Sequence, residues 1–247
     1  MLIDAHLHIG GSYDEAVTRR LDRGLVDVVV LSCLHLTQGE PNWQPTPDEI
    51  RAFNDFVLSW MDRYHGKVIG LCYVNPRHGD IGLAEMRRCL DHGMSGVKLE
   101  VCTLADDKRV NPFAALAAER DVPILAHAWA KTTGNLPFES YPQNVMALAQ
   151  RFPKAKIILA HWGGEWETGA KVVRDCPNLY VDISGTPAEM DSVEGMVHSA
   201  GEDRVLFGTD NANLFYCLGK VLGAALNDSQ RQKILWGNAA RLFGLPH

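Results

Sequence analysis

Apolar residues in this chain fall in short, nearly continuous runs that recur from one end to the other. The clearest cover residues 2–6, 26–32, 67–74, 96–101, 123–127, 156–161, 179–183 and 204–208. Runs of this length, rich in Val, Ile and Leu, predict strands covered on both faces of a parallel sheet. Between them the pattern becomes that of amphipathic helices, over 14–23, 47–64, 80–92, 111–120, 142–151, 165–176 and 187–200. Two more, 214–226 and 229–243, close the chain. Thr46-Pro47-Asp48-Glu49 suits a helix start, while Gly93 and Asp121-Val122-Pro123 mark helix ends.

Eight strands, each followed by a helix, predict an α/β fold of the (β/α)8 TIM-barrel type, with 1–247 as one domain. An open doubly wound sheet would give the same alternation. It would also need a glycine-rich phosphate loop after the first strand, where His6-Leu7-His8 stands instead. There is no Pro/Ser-rich linker, internal repeat or low-complexity stretch. The longest loop, 34–47, holds Trp43 and three prolines and predicts a flap over the barrel mouth.

Composition narrows the class. A 46% hydrophobic content with 22% charged residues is that of a globular protein, and no apolar run approaches a membrane span. The net charge of −6 gives no basic footprint for nucleic acid. The six cysteines form no Cys-x-x-Cys pair and several lie in strand-like runs, which points to buried thiols and a reducing cytoplasm. A small molecule is the partner this composition leaves.

In a barrel of this kind the active site gathers at the C-terminal ends of the strands. His6 and His8 end the first strand, Lys98 and Glu100 lie on the fourth, His127 ends the fifth, His161 the sixth, and Asp210 follows the eighth. Two histidines one residue apart share a strand face and make half of a first-row metal site. Taken singly, His127 and His161 are more often satisfied core histidines than ligands, and Asp210 reads as a turn or capping residue. Together they place five metal-competent groups at one end. Neutral imidazoles and a carboxylate suit Zn2+, with Mn2+, Fe2+ or Co2+ as substitutes. Such an ion with an open position would lower the pKa of a bound water, and a further histidine nearby could accept its proton.

The sequence resembles the amidohydrolase superfamily, in its amidohydrolase-related branch that includes aminocarboxymuconate-semialdehyde-decarboxylase-like proteins. The likeness rests on Asp4-Ala5-His6-Leu7-His8, Gly96-Val97-Lys98-Leu99, His127, Ala160-His161-Trp162-Gly163-Gly164, Asp182-Ile183-Ser184-Gly185, Phe207-Gly208-Thr209-Asp210 and Asn238-Ala239-Ala240-Arg241-Leu242-Phe243. It implies a distorted TIM barrel in which His6, His8, His127 and Asp210 bind one divalent ion. His161 would be the catalytic histidine, and Asp210 would also take a proton from the bound water. Lys98 would be either a plain ammonium paired with Glu100 or gripping a substrate, or a carboxylated bridge to a second metal; the first is the expectation. Homo-oligomers are also implied by the resemblance.

The chain opens on the first barrel strand, so no flanking β-sandwich is expected. The leading expectation is a metal-dependent hydrolase of a small amide, ester or lactone. The alternative is non-oxidative decarboxylation of an aromatic or enoic acid. A TatD-type metal-dependent nuclease is a further option, weakened by Gly-Val-Lys-Leu and Gly-Thr-Asp where that group has Glu and Glu-Thr-Asp. A non-enzymatic binding protein is disfavoured, because every expected ligand position is filled. Trp129 and Trp162 either line an aromatic pocket or pack barrel against helix. Arg77 either grips a substrate carboxylate or is a solvated loop residue. His35 and His78 lie at the same barrel end and are not assigned as ligands.

Overall fold

The structure, a computed structural model, describes residues 1–37 and 42–245; residues 38–41 of the expected flap lie outside them. The strands are β1 (Ile3–Ile9), β2 (Val28–Cys33), β3 (Val68–Val74), β4 (Gly96–Leu99), β5 (Ile124–Ala126), β6 (Ile157–Leu159), β7 (Leu179–Asp182) and β8 (Val205–Leu206). Each pairs in parallel with the next, in the order β1 to β8. The last strand returns to the first: the Ala5 N–H donates to the Phe207 carbonyl at 2.9 Å, and the Asp210 N–H to that of His6 at 2.8 Å. The fold is the expected TIM barrel.

The helices are α1 (Asp14–Asp22), α2 (Pro47–Arg63), α3 (Gly79–Asp91), α4 (Asn111–Glu119), α5 (Pro142–Arg151), α6 (Trp166–Arg174), α7 (Ser192–Ala200), α8 (Leu214–Gly223), α9 (Asp228–Gln232) and α10 (Asn238–Phe243). Thr46 caps α2 reciprocally with Glu49, as its sequence suggests. Two segments depart from the expected bounds. The helix expected from residue 187 begins at Ser192, because Asp191 takes a left-handed φ of 60° that α-helix cannot continue. The expected helix 229–243 is split by a wide turn, Lys233–Gly237. The turn releases the Ile234 carbonyl from the helical ladder to accept from the Phe207 N–H at 3.0 Å.

Strand alternation divides the core into two layers. Ile3, Ala5, Val28, Val30, Ile69, Leu71, Leu125, Ile158 and Leu206 fill the barrel interior, and Ala239, Ala240, Leu242 and Phe243 of α10 pack onto them. The opposite faces of the same strands meet the helices in the larger outer layer. In β1 the alternation is interrupted. Asp4 pairs with Val29 but Leu7 with Leu31, so β1 takes three steps where β2 takes two. This bulge lets Ala5 and His6 both face inward, after which Leu7 and Ile9 face the helices.

Below the bulge, Asp4 faces outward and joins the seam between β1 and β8. Its carboxylate accepts from the Thr209 N–H (3.0 Å), the Thr209 hydroxyl (2.8 Å) and Arg20 (3.1 Å). Arg20 also donates to the Thr209 hydroxyl (2.7 Å) and the Ala212 carbonyl (2.6 Å), and both charges are buried. Removing one member of a buried, hydrogen-bonded pair strands the other in low dielectric. Arg20→Met is expected to cost about 3–5 kcal/mol of folding stability, read from the urea midpoint. A loss below about 1 kcal/mol would show that the seam does not depend on this pair.

Candidate metal centre

Beyond the bulge, His6 and His8 project into the barrel mouth, and each ring is tethered at Nδ1. His6 Nδ1 donates to Asp182 at the end of β7 (3.1 Å), and His8 Nδ1 lies 2.8 Å from the Ser32 hydroxyl of β2. A carboxylate can only accept, so the His6 Nδ1 carries the hydrogen and its Nε2 keeps a lone pair, the form of a metal ligand. The Nε2 atoms of His8 and His6 stand 3.0 and 3.7 Å from Asp210 Oδ1. These three side chains form one group able to share an ion.

Asp210 and Asn211 both have left-handed backbones, with φ of 50° and 61°. The turn brings Asp210 over the mouth and lets Asn211 act as a missing strand. Its side-chain oxygen accepts from the His8 N–H (2.7 Å), and its amide donates to the His8 carbonyl (2.8 Å). A second left-handed pair, His161 and Trp162, follows β6. The Ser184 hydroxyl donates to Asp182, so its oxygen accepts from His161 Nδ1 at 2.9 Å. Lys220 holds the segment carrying Ser184 by donating to the carbonyls of Ile183 (3.0 Å) and Thr186 (2.5 Å). His6, His161 and Asp182 make a second group close enough to hold an ion.

His127 stands one step apart, belonging to neither group. Its Nδ1 is 3.1 Å from Glu100, and its Nε2 is 2.9 Å from Glu139, a buried carboxylate that also pairs with Lys131 at 2.7 Å. Lys98, fully buried, lies 3.2 Å from Glu100 and 2.9 Å from His6 Nε2. Arg77 stacks over the Phe138 ring, 3.9 Å from its centroid, and does not line the pocket at the mouth. Trp129 packs against His161 with ring centroids 5.0 Å apart. Trp162 is buried, its indole N–H donating to the Thr186 hydroxyl.

Above the cluster is a pocket of about 140 Å³, floored by His8, Glu100, His127, His161 and Asp210 and walled by Tyr13, Leu34, His35 and Trp43. Its aromatic walls are thus Tyr13 and Trp43, while the tryptophans picked from the sequence pack behind His161 or away from it. Reasoning from sequence noted Asp182 and Ser184 as part of the resemblance but gave them no role, and passed over Glu139, Asn211 and Ser32. Asp182 carried a signal: it is an inward-facing acid at a strand end, like the residues chosen on other strands.

The donor set fits a divalent ion. Burial, reinforced by the charges of His6 and His127, brings His161 down to about 3, and burial also lowers His8. Burial opposes ionisation of Asp210, but His161, His6 and His8 outweigh it and hold that carboxyl well below its usual range. The same contest at Glu100 is won by Lys98, His127 and His8, which bring it to about 2. Lowered values at His8 and His161 and at Asp210 favour a neutral imidazole and an ionised carboxylate, the forms a metal requires. Lys98 Nζ lies between His6 Nε2 and Glu100, beside two of these donors.

A family model described as Amidohydrolase matches residues 3–245. A comparison with curated proteins found no match. Among solved structures, the chain is similar to 2,6-dihydroxybenzoate decarboxylase from Rhizobium, with 17% identity over 98% of each chain and a TM-score of 0.77. It is similar to 5-carboxyvanillate decarboxylase from Sphingomonas paucimobilis, with 17% identity over 99% of each chain and a TM-score of 0.76. A dihydroxybenzoic acid decarboxylase from Polaromonas, solved with bound manganese and the inhibitor 2-nitroresorcinol, shares 18% identity over 98% of this chain and 96% of its own, with a TM-score of 0.75. At these identities the likeness speaks for the fold.

Asn211 separates two contributions to the geometry of the mouth. Asn211→Ala removes both bonds to the His8 backbone and places a Cβ at positive φ without the local bonding Asn offers. Its expected cost is about 2–3 kcal/mol. Asn211→Gly should recover roughly 1 kcal/mol of that, because glycine adopts this φ freely. Equal stabilities for the two variants in a denaturant titration would refute the backbone part of this account.

Proposed function

The chain belongs to the amidohydrolase family, and from that premise we propose that it decarboxylates a small hydroxylated aromatic acid without oxidation, with a divalent metal. The observation that carries this reading is the ring-sized pocket, walled by Tyr13 and Trp43 and seated directly on the His/Asp cluster. The likeness in fold to decarboxylases of hydroxylated benzoic acids supports it.

His6, His8 and Asp210 would hold the ion, with His127 as a fourth ligand. Zn2+ and Mn2+ both suit these donors. When bound, the ion supplies the positive charge that orients and polarises the oxygens of the acid. Asp210 reaches the pocket with a side chain 28% exposed, and, being ionised, it would first take the proton of a ring hydroxyl and then hand that proton to the substrate ring. A ring hydroxyl donates electron density, so that the proton adds at the carbon bearing the carboxylate. The bond to the carboxylate carbon then breaks, its electron pair restores the ring, and CO2 leaves. Tyr13 and Trp43 hold the ring and exclude water. Glu100 lines the floor, with Lys98 buried behind it at 3.2 Å.

Hydrolysis of a small amide, ester or lactone is the second reading. It is favoured by His161, whose Nδ1 bond to Ser184 leaves Nε2 able to accept a proton from water. No helix among the described residues is long and apolar enough to cross a membrane, and all six cysteines are buried and free, which fits a reducing cytoplasm. Phe215 and Leu222, exposed on α8, are compatible with a homo-oligomer.

The test loads purified protein with Zn2+ or Mn2+ and offers hydroxybenzoates beside lactones, esters and amides. The expected outcome is CO2 release, with deuterium from D2O at the vacated ring carbon. Chelation should abolish turnover, and Asp210→Asn should lower it by about 10²–10⁴-fold. Turnover of the hydrolytic substrates alone would replace the first reading by the second.

A further inference from the structure

The wall of the pocket is unusual in its charge. No lysine or arginine is among its lining residues. Among the described residues, a ligand group reaching away from the floor therefore meets no lysine or arginine, and one wall residue, His35, is held in a fixed orientation.

His35 follows the end of β2, and contacts with Cys33, Gly10, Gly11, Tyr13 and Thr37 fix it. Its carbonyl accepts from the Cys33 thiol at 3.3 Å. It also crosses so close to Gly10 (φ 109°) that a Cβ there would come within 1.8 Å of that carbonyl oxygen. A Cβ on the next residue, Gly11, would stand 3.1 Å from the His35 ring, so the two glycines form the backing against which the side chain rests. The Tyr13 ring lies 5.7 Å away, tilted by 54°. Finally, His35 Nδ1 lies 2.8 Å from the Thr37 carbonyl. A carbonyl can only accept, so Nδ1 carries the hydrogen, and the ring in its neutral form presents Nε2 as an acceptor. No described residue bonds that Nε2.

We infer that His35 reads the substrate: its Nε2 accepts a hydrogen bond from a ring hydroxyl remote from the metal centre. The inference rests on the aromatic-acid reading above. A hydroxyl at that position gains a bond. A hydrogen atom there gains nothing, and a carboxylate sets its own lone pairs against an acceptor with no cation nearby to offset them. His35 therefore selects hydroxylated monocarboxylic acids over unsubstituted rings and over aromatic dicarboxylates.

The test uses aromatic probes that carry no group poised to react, bound to Zn2+-loaded protein at pH 8 and followed by calorimetry. Phenol is compared with 1,2-, 1,3- and 1,4-dihydroxybenzene, and benzoate with benzene-1,3-dicarboxylate. One dihydroxybenzene is expected to bind about fivefold tighter than phenol, the worth of one neutral hydrogen bond. The dicarboxylate should bind more weakly than benzoate. His35→Leu should bring the dihydroxybenzene-to-phenol ratio within about twofold of unity, and His35→Gln, which keeps an acceptor, should restore most of it. Metal content of each variant serves as the check on folding. If aromatic probes bind but the ratio survives in His35→Leu, or the dicarboxylate binds tighter than benzoate, the role of His35 is refuted and the aromatic-acid reading stands. If no probe binds the wild-type protein, that reading falls and the role of His35 falls with it.

Discussion

One extra residue in the first strand determines how this molecule works. A strand offers two faces in strict alternation, and β1 must serve three masters: the barrel interior, the helical layer and the mouth. Without the bulge between Asp4 and Leu7, the parity that puts Ile3 and Ala5 in the barrel interior would turn His6 and His8 toward the helices. With it, Asp4 reaches Arg20 on the outside while both imidazoles reach Asp210 on the inside. Bulges beside active sites re-aim side chains in this way.

The mouth then becomes a problem in burying charge. Lys98, Glu100, Asp182 and Glu139 are all buried, and none stands alone. Each meets an opposite or hydrogen-bonding group within about 3 Å, in a chain running from Asp182 through His6, Lys98, Glu100 and His127 to Glu139 and Lys131. Such a network is tolerable in low dielectric only when complete. That demand explains why residues on loops with no strand pattern, Glu139 and Lys131, are drawn in to satisfy His127 from outside.

The legible part of this protein was the part governed by periodicity. Continuous apolar runs marked all eight strands, and the rule that chemistry gathers at their C-terminal ends picked out His6, His8, Lys98, Glu100, His127, His161 and Asp210, all of which lie at the mouth. What escaped belongs to loops, where side chains are placed by tertiary closure. Trp129 and Trp162 follow strand-end histidines in sequence, yet the pocket walls are Tyr13 and Trp43, carried in by the loops after β1 and β2. Arg77 had the chemistry of a carboxylate clamp and instead meets Phe138. Asn211 had no signal at all, because a side chain imitating a strand looks like any turn residue until the barrel is closed.

The seam between β1 and β8 carries a further meaning for how the molecule comes into being. Asn211 and His8 are 203 residues apart in the chain, and their mutual bonds join its two extremes. Closing a loop of that length costs roughly 5 kcal/mol of chain entropy on the logarithmic scaling, before any constant term. No local segment can therefore bring His6, His8 and Asp210 together ahead of the whole. The chemistry of this protein is a property of the finished circle, and a nascent or partly unwound chain that has all its strands but not this last join is silent.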